Sequence, residues 1–278
     1  GCSYPALGSD GSGFALAREA GLAVVQPVPA LAGLVTAETW PRALAGIVCP
    51  RASLRLDAPG AARRPLTGPL LFTHRGISGP PALALSGEIN ARLAAAEYDG
   101  QPPPVLTLRV SFIAERTAGD WLARFDDWRR ARGARALRNL LAGELPRALA
   151  ETLCGLSGAS QTTAARAGKA ALRALAEACA ELPLRVTGTE DWNRAMLTRG
   201  GVALEELDPK TLACRRLPGL SCAGEIVDLD APCGGYNLSW AFASGRFAAL
   251  GGGQQAEAEA GGHRLAAGGE GRRVRVVS

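Results

Sequence analysis

The spacing of apolar residues changes along the chain, and this change sets the strongest limit on the fold. Between about residues 23 and 113 apolar and polar residues alternate, most clearly at Leu106, Leu108 and Val110, which is typical of half-buried strands. Between residues 119 and 182 the apolar residues fall at helical spacing. After residue 183 the pattern returns to strand, turn and helix. The sequence therefore predicts an α/β fold assembled from several segments.

These zones predict five segments. Residues 1–22 read as a turn and a helix, and residues 23–115 as a β-rich insert. Residues 116–185 are predicted to form a small helical insert, and residues 186–250 a strand, turn and helix region. Residues 251–278 are rich in Gly, Ala, Glu and Arg without periodicity, which predicts a disordered tail.

The positive charge of the chain comes from arginine. The formal net charge is +5, and Lys169 and Lys210 are the only lysines. Most arginines are scattered, and the one dense group comprises Arg129, Arg130, Arg132, Arg135 and Arg138. We interpret this group as a solvated helix face, with a phosphate-binding stripe as the less favoured alternative. We therefore expect no nucleic-acid partner.

The cysteines and the apolar runs limit the compartment. Seven cysteines are widely spaced and form no C-x-x-C pair, so neither a zinc knuckle nor a dithiol redox motif is indicated. A reducing, cytoplasmic compartment fits this usage best. No apolar run reaches the roughly 18 residues needed to span a bilayer, so we expect no membrane partner. The residues also show no secretory segment.

The densest motif lies near the end of the patterned region. Residues 218–230 predict a short strand that ends at Gly224, where the absence of a side chain lets a ligand approach the backbone. Glu225 and Asp228 follow directly and could accept hydrogen bonds from ribityl or ribose hydroxyls. Gly234 and Gly235 then precede a predicted helix, whose N-terminal N–H groups and positive dipole end would be exposed.

This arrangement suits a flavin. Reduction places negative charge along the N1–C2=O edge of the isoalloxazine, and a helix N-terminus stabilises that charge without a cationic side chain. The alternative is a strand, loop and helix in which the glycines serve only close packing. Glycine spacing alone does not separate the two interpretations.

Four stretches carry a family resemblance. Gly224-Glu225-Ile226-x-Asp228 with Gly234-Gly235-Tyr236-Asn237 resembles the C-terminal FAD motif of the YhiN/BaiN-type flavoproteins, the aminoacetone-oxidase-like NAD(P)/FAD-dependent oxidoreductases. Three further stretches resemble that family in the same order along the chain, namely Ser3-Tyr4-Pro5 with Gly8-Ser9-x-Gly11-x-Gly13, Leu71-Phe72-Thr73-His74-x-Gly76-x-Ser78-Gly79-Pro80, and Thr198-x-Gly200-Gly201-Val202 with Asp208-Pro209-Lys210-Thr211.

The resemblance implies a fold, a cofactor and a reaction class. The fold would be a partial FAD-binding Rossmann-like domain, with segments 1–22 and 186–250, that carries a β-rich, barrel-like insert and a small helical insert. The implied function is that of a bacterial FAD-dependent oxidoreductase acting on a small organic substrate by hydride or electron transfer, with NAD(P)H use left open. The implied FAD contacts are Ser3, Tyr4, Gly8, Gly224, Glu225, Asp228, Gly234, Gly235, Tyr236 and Asn237. Neither a catalytic side chain nor a metal site is assigned.

One departure from the family pattern leaves a second interpretation open. No G-x-G-x-x-G follows a strand in these residues, although the family opens with such a fingerprint to hold the pyrophosphate at a helix N-terminus. We therefore expect a chain that lacks this fingerprint and that is inactive by itself. The alternative function is a non-catalytic binding or interaction module that retains the flavoprotein scaffold.

Overall fold

The structure is a computed structural model that describes residues 1–262 and 275–277. The chain divides into two compact units. The first unit comprises Gly1–Ala32, Asn90–Asp99 and Glu190–Ser278, and the second comprises Gly33–Ile89 and Gly100–Thr189. The two units set the coarse division of the chain, whereas the five finer segments stay a prediction.

The helices and strands alternate along the chain as a mixed α/β fold. The strands are β1 (Val24–Ala30), β2 (Leu34–Thr36), β3 (Val48–Asp57), β4 (Leu66–Phe72), β5 (Gly76–Ser78), β6 (Leu106–Ser111), β7 (Leu182–Thr189), β8 (Leu197–Val202), β9 (Leu220–Cys222) and β10 (Arg275–Val277). The helices are α1 (Ser12–Glu19), α2 (Trp40–Ala43), α3 (Pro80–Tyr98), α4 (Ala118–Arg132), α5 (Leu137–Leu141), α6 (Arg147–Leu156), α7 (Lys169–Glu181) and α8 (Tyr236–Gly262).

The second unit contains a closed antiparallel barrel with the strand order β2-β5-β4-β3-β6-β7. The alternation predicted for β6 is confirmed, because Leu106, Leu108 and Val110 are buried. In the central pair, β3 and β6, Leu54 lies opposite Val110 and Leu56 opposite Leu108, so both strands turn the same apolar face inward. Closure removes the exposed strand edges that an open sheet of this size would present.

A helical group in the same unit packs its aromatic side chains inward. Helix α4 buries Trp121, Phe125 and Trp128, which lie on one face at the expected three- and four-residue spacing. Its N-terminus is fixed by a capping box in which Thr117 Oγ1 accepts from the Asp120 N–H and the Asp120 carboxylate accepts from the Thr117 N–H. The helical pattern predicted between residues 119 and 182 is thereby confirmed.

The first unit is built around β1 and β8, which pair antiparallel, with α1 and α8 as its longer helices. Its core includes Phe14, Leu22, Val202 and Ile226. Gly201 has a φ of +135°, and a Cβ at that position would lie 2.3 Å from the Ile226 carbonyl oxygen. Glycine is therefore required where β8 passes the short turn after β9.

The segment predicted to be a disordered tail contains two elements. Helix α8 continues through it to Gly262, and β10 pairs in parallel with β9. Residues 263–274 and 278 lie outside the described residues. Among the described residues, no helix is long and apolar enough to cross a membrane.

The barrel core makes a test of the fold. Leu108→Ala removes a fully buried side chain from β6, and we expect the free energy of unfolding to fall by about 2–5 kcal/mol because a cavity remains. Chemical denaturation measures this change. Val105→Ala, at a neighbouring side chain that is 76% exposed, serves as the control and should shift unfolding by less than about 0.5 kcal/mol. Equal effects of the two substitutions would contradict the barrel assignment of β6.

Candidate functional site

The carboxylate of Glu225 joins three parts of the first unit. Glu225 lies in a 3-10 turn directly after β9, and its Oε1 accepts a hydrogen bond of 2.5 Å from the Ser3 hydroxyl and another of 2.5 Å from the Thr198 N–H. Thr198 Oγ1 in turn accepts from the Cys2 N–H at 2.8 Å. Ser3 is 4% exposed and Thr198 is 2% exposed, so these donors depend on the carboxylate.

Gly224, one residue earlier, is fixed by helix α8. Its φ of +75° lies in the left-handed region that favours glycine. Its N–H donates to Ser244 Oγ at 2.9 Å, and its carbonyl oxygen accepts from Trp240 Nε1 at 3.2 Å. Both polar groups of this peptide unit are therefore satisfied within the chain, and the contribution Gly224 can make to a ligand is close approach.

The loop before α8 is held by a side-chain amide. The Ala231 N–H donates to Asn237 Oδ1 at 2.8 Å, and Asn237 Nδ2 donates to the Ala231 carbonyl oxygen at 2.8 Å. Between these anchors Gly234 and Gly235 have φ values of +140° and +85° and are exposed. The turn that they form leads into α8, where the Ser239 N–H donates to the Gly235 carbonyl oxygen at 3.0 Å and the N–H groups before it are left without an intrahelical acceptor.

Asp228 is the half-buried carboxyl of this region. Its N–H donates to the Val202 carbonyl oxygen at 3.0 Å, which ties it to β8. Burial raises the pKa of Asp228, and the nearby Arg199 opposes this shift while Asp230 adds to it. Arg199 Nη1 itself lies 3.4 Å from Asp230 Oδ2. Asp228 therefore keeps a proton at a higher pH than an exposed aspartate.

The first predicted contacts lie in a short turn at the start of the chain. Tyr4 has a φ of 54° and a ψ of 57°, a left-handed conformation that is rare for an aromatic residue, and it is 42% exposed. Its carbonyl oxygen accepts from the Leu7 N–H at 2.8 Å, and Gly8, with a φ of 99°, ends the turn. A strained residue kept by its surroundings is a common feature of ligand-binding sites.

The ten predicted residues all lie in the first unit, and hydrogen bonds connect several of them. Ser3 is bonded to Glu225, which follows Gly224 directly, and Asn237 lies in the first turn of α8, downstream of the paired glycines. Tyr236 is 62% exposed beside the same turn, and its ring lies 3.2 Å from where a Gly234 Cβ would be. The role of these residues as FAD contacts stays a prediction.

The hydrogen-bond donors that suit a flavin lie mainly at the glycine turn before α8. The backbone polar atoms of Gly224, the side-chain amide of Asn237 and Oε1 of Glu225 already have partners in the chain, so these groups hold the scaffold. The exposed Gly234–Gly235 turn and the start of α8 offer backbone N–H groups and the positive end of a helix dipole. These two features suit the anionic edge of a reduced flavin.

Sequence reasoning missed two of the residues that build this region. Trp240 and Ser244 appear in the sequence only as part of an apolar helix, yet both bind the backbone of Gly224. Their spacing of four residues on a helix places them on one face, and this was the available signal. Their common partner Gly224, which lies 16 and 20 residues earlier, could not be inferred from the spacing.

The mixed α/β fold, with a closed six-strand barrel in the second unit, is compatible with a Rossmann-type protein that carries an inserted barrel. The family described as HI0933-like protein Rossmann domain matches residues 1–251, and the chain belongs to that family. The YhiN/BaiN-type resemblance is thereby confirmed.

Three relatives of known name are similar to most of the chain. The 3-dehydro-bile acid delta(4,6)-reductase of Clostridium scindens is 35% identical over 249 residues, which cover 87% of this chain and 58% of that protein. The ribosomal RNA dihydrouridine synthase of Escherichia coli is 30% identical over 250 residues, with 88% and 56% covered. The enzyme of the same name from Haemophilus influenzae is 26% identical over 252 residues, with 90% and 58% covered. The chain thus spans less than three fifths of the length of these relatives.

The Glu225 carboxylate gives a first test of the site. Glu225→Ala leaves two buried donors without an acceptor, and we expect the free energy of unfolding to fall by about 2–4 kcal/mol. Glu225→Gln keeps an acceptor oxygen and should cost less. Denaturation of both variants beside Glu19→Ala, at an exposed carboxylate on α1, measures the difference. Equal stability of the Ala variant and the Glu19→Ala control would contradict the carboxylate bridge.

The raised pKa of Asp228 predicts a pH dependence of known sign. Between the ordinary aspartate pKa and the raised folded value, the folded state binds more protons than the unfolded state, so this residue lowers stability as pH rises. The stability of Asp228→Asn relative to the parent protein should therefore increase with pH from acid to neutral. Asp10→Asn is the control with the opposite slope, since hydrogen bonds from Ser12 lower the pKa of Asp10. Parallel slopes in pH-dependent denaturation would contradict the assignment.

Proposed function

We propose that the protein is an FAD-dependent oxidoreductase that reduces a carbon–carbon double bond conjugated to a carbonyl group. Two names among the relatives support this reaction class. The name 3-dehydro-bile acid delta(4,6)-reductase describes the reduction of double bonds that are conjugated with a 3-oxo group. Dihydrouridine differs from uridine by two hydrogens at a double bond next to a carbonyl. In each case hydride adds to a carbon that is electron-poor through conjugation, which is the β carbon of an enone or the δ carbon of a dienone, and a proton adds to a carbon nearer the carbonyl.

The observation that carries the proposal is the exposed glycine turn at the start of α8. The turn is held in place from both sides, by Asn237 bonded to Ala231 and by Trp240 and Ser244 bonded to Gly224. A rigid helix N-terminus stabilises developing negative charge without the cost of reorganising at the moment of reaction. When bound, FAD would supply the hydride.

The chain's own residues would bind and orient the cofactor. The Gly234–Gly235 turn would approach it with backbone alone, and the first N–H groups of α8 would face its anionic edge. Asp228, half-buried and bonded through its N–H to Val202 of β8, would accept a hydrogen bond from a ribityl or ribose hydroxyl. Tyr236 would cover the exposed side of the turn.

Three further features belong to this proposal. We propose a small organic substrate or substrate group, with NAD(P)H as the reductant that reloads the flavin. We also propose a cytoplasmic location, in keeping with seven cysteines that are all free thiols.

The second candidate is a binding or interaction module without catalysis. It is favoured by one observation, namely that the polar groups of Gly224 and Asn237 find partners inside the chain without any cofactor. A scaffold whose polar groups are hydrogen-bonded within the chain can stay folded when the cofactor is lost.

A visible absorption spectrum separates the two functions. We expect the purified product of the whole gene to show the two bands of oxidised flavin, and to lose them on anaerobic addition of NADPH or dithionite. The 278-residue chain is measured beside it. Flavin in neither preparation, even after reconstitution with FAD, would favour the non-catalytic module.

Asn237→Ala tests the role of the turn. The substitution breaks both hydrogen bonds to Ala231 and frees the glycine turn, so we expect the affinity for FAD to fall by about tenfold, the effect of about 1.4 kcal/mol. Asn139→Ala, at an exposed asparagine of the second unit, is the control. Fluorescence titration of FAD measures both. Unchanged affinity in the Asn237 variant would contradict a flavin edge at this turn.

A further inference from the structure

Two stretches of the second unit carry positive charge and no carboxylate. Residues 128–143 contain five arginines and neither Asp nor Glu. Residues 152–176 contain Arg166, Lys169 and Arg173, again without an acidic residue. These stretches lie apart in the sequence, so the sequence pattern by itself shows only the first of them as a dense group.

The structure brings the two stretches together through main-chain hydrogen bonds. The Ala165 N–H donates to the Gly133 carbonyl oxygen at 2.9 Å, and the Ala164 N–H donates to the Arg135 carbonyl oxygen at 3.0 Å. A bridge between Ala136 and Thr163 continues this pairing. We call the resulting surface the cationic face, and define it by Arg129, Arg130, Arg132, Arg135, Arg138, Arg166 and Lys169.

Most charges of the cationic face are not neutralised. Arg132, Arg135, Arg166 and Lys169 are exposed, and none of them pairs with a carboxylate in the part of the chain that the structure describes. Within the face only Arg130 has such a partner, Asp127, at 2.6 Å.

About half of the arginines elsewhere in the second unit are paired with carboxylates, a larger share than on the cationic face. The six paired arginines are Arg51, Arg109, Arg116, Arg124, Arg147 and Arg185. A solvated helix face ordinarily mixes charges of both signs, whereas a surface of one sign repels itself and attracts a polyanion.

The shape of the cationic face also suits phosphate. Residues 131–135 line an open, mostly polar hollow, and Arg132 and Arg135 are among its lining residues. Arg129 and Arg138 are directed to the main chain, where they donate to the carbonyl oxygens of Ala167 at 2.8 Å and Ser160 at 3.4 Å. These bonds fix the loop that presents Arg166.

We propose that the cationic face binds the phosphate backbone of structured RNA. Two relatives named ribosomal RNA dihydrouridine synthase favour RNA as the polyanion. A membrane-binding surface would add large apolar side chains beside the charges. Within the two stretches, residues 128–143 and 152–176, Leu156 is the single large exposed apolar side chain among the described residues. Binding of RNA does not depend on the proposed reduction. Only the identity of the reacting group, which would be a base of the bound RNA, rests on that proposed function.

The proposal revises the sequence-based expectation of a solvated helix face. That expectation rests on residues 129–138 alone, where five arginines on and after one helix are explained by solvation. The addition of Arg166 and Lys169 from a distant stretch makes the surface larger than one helix face.

The experiment measures binding of a fluorescein-labelled RNA hairpin by anisotropy, with the full protein and without added substrate or reductant. The variant is Arg132→Gln/Arg135→Gln/Arg166→Gln, and the matched control is Arg63→Gln/Arg64→Gln/Arg75→Gln, which removes three exposed charges from loops of the barrel. For the parent protein we expect the logarithm of the binding constant to fall linearly with the logarithm of the salt concentration. The variant should lower that slope by about 3, about one for each lost phosphate contact, and weaken binding at least about tenfold.

Each outcome decides the proposal. A variant with all three positions changed to lysine should bind almost as the parent does, because phosphate contacts need charge more than geometry. Unchanged thermal unfolding of the variants excludes misfolding as the cause. Equal loss in the variant and the matched control, or binding to phosphatidylserine vesicles in preference to the hairpin, would overturn the proposal. A protein that shows flavin bands but no RNA binding would overturn this proposal and leave the proposed reduction intact.

Discussion

The first unit depends on one carboxylate placed between buried donors. Glu225 Oε1 accepts from Ser3 and from Thr198, which belong to the start of the chain and to β8 respectively. The loss of this acceptor would leave both donors buried and unpaired. The turn that carries Glu225 also carries Gly224, which α8 binds from the other side. The position of α8, and with it the candidate flavin site, follows from this pair of residues.

The two units bury their apolar residues and satisfy their backbone polar groups in different ways. In the second unit the antiparallel barrel closes on itself, so its apolar faces and its strand edges are satisfied by one architecture. In the first unit the described strands form two small pairs, and side chains such as those of Glu225, Asn237 and Trp240 hydrogen-bond to the connecting segments. The unit in which the flavin is proposed is therefore the one held mainly by specific hydrogen bonds. Sites of this kind need side chains that are locked by their neighbours.

Much of the fold could be predicted from the sequence, and less of the site. The alternation of Leu106, Leu108 and Val110 and the helical spacing of α4 depend on local periodicity, which survives in any context. Closure of the barrel depends on strand pairing between distant residues, and the motif resemblance was needed to anticipate it. The bonds of Trp240 and Ser244 to Gly224 could not be predicted, because a helical pattern shows which face is buried but not what lies against it.

The sequence by itself determined the family, through motifs such as Gly224-Glu225-Ile226 that recur in fixed order, and it determined the glycines that the turns require. The tertiary structure alone decided which polar groups remain available. It assigns Oε1 of Glu225 and the side-chain amide of Asn237 to partners within the chain, and it joins the stretch that carries Arg166 to the stretch that carries Arg135. The physical reason is that hydrogen bonding and charge repulsion act between neighbours in space, whereas a motif records only neighbours in sequence.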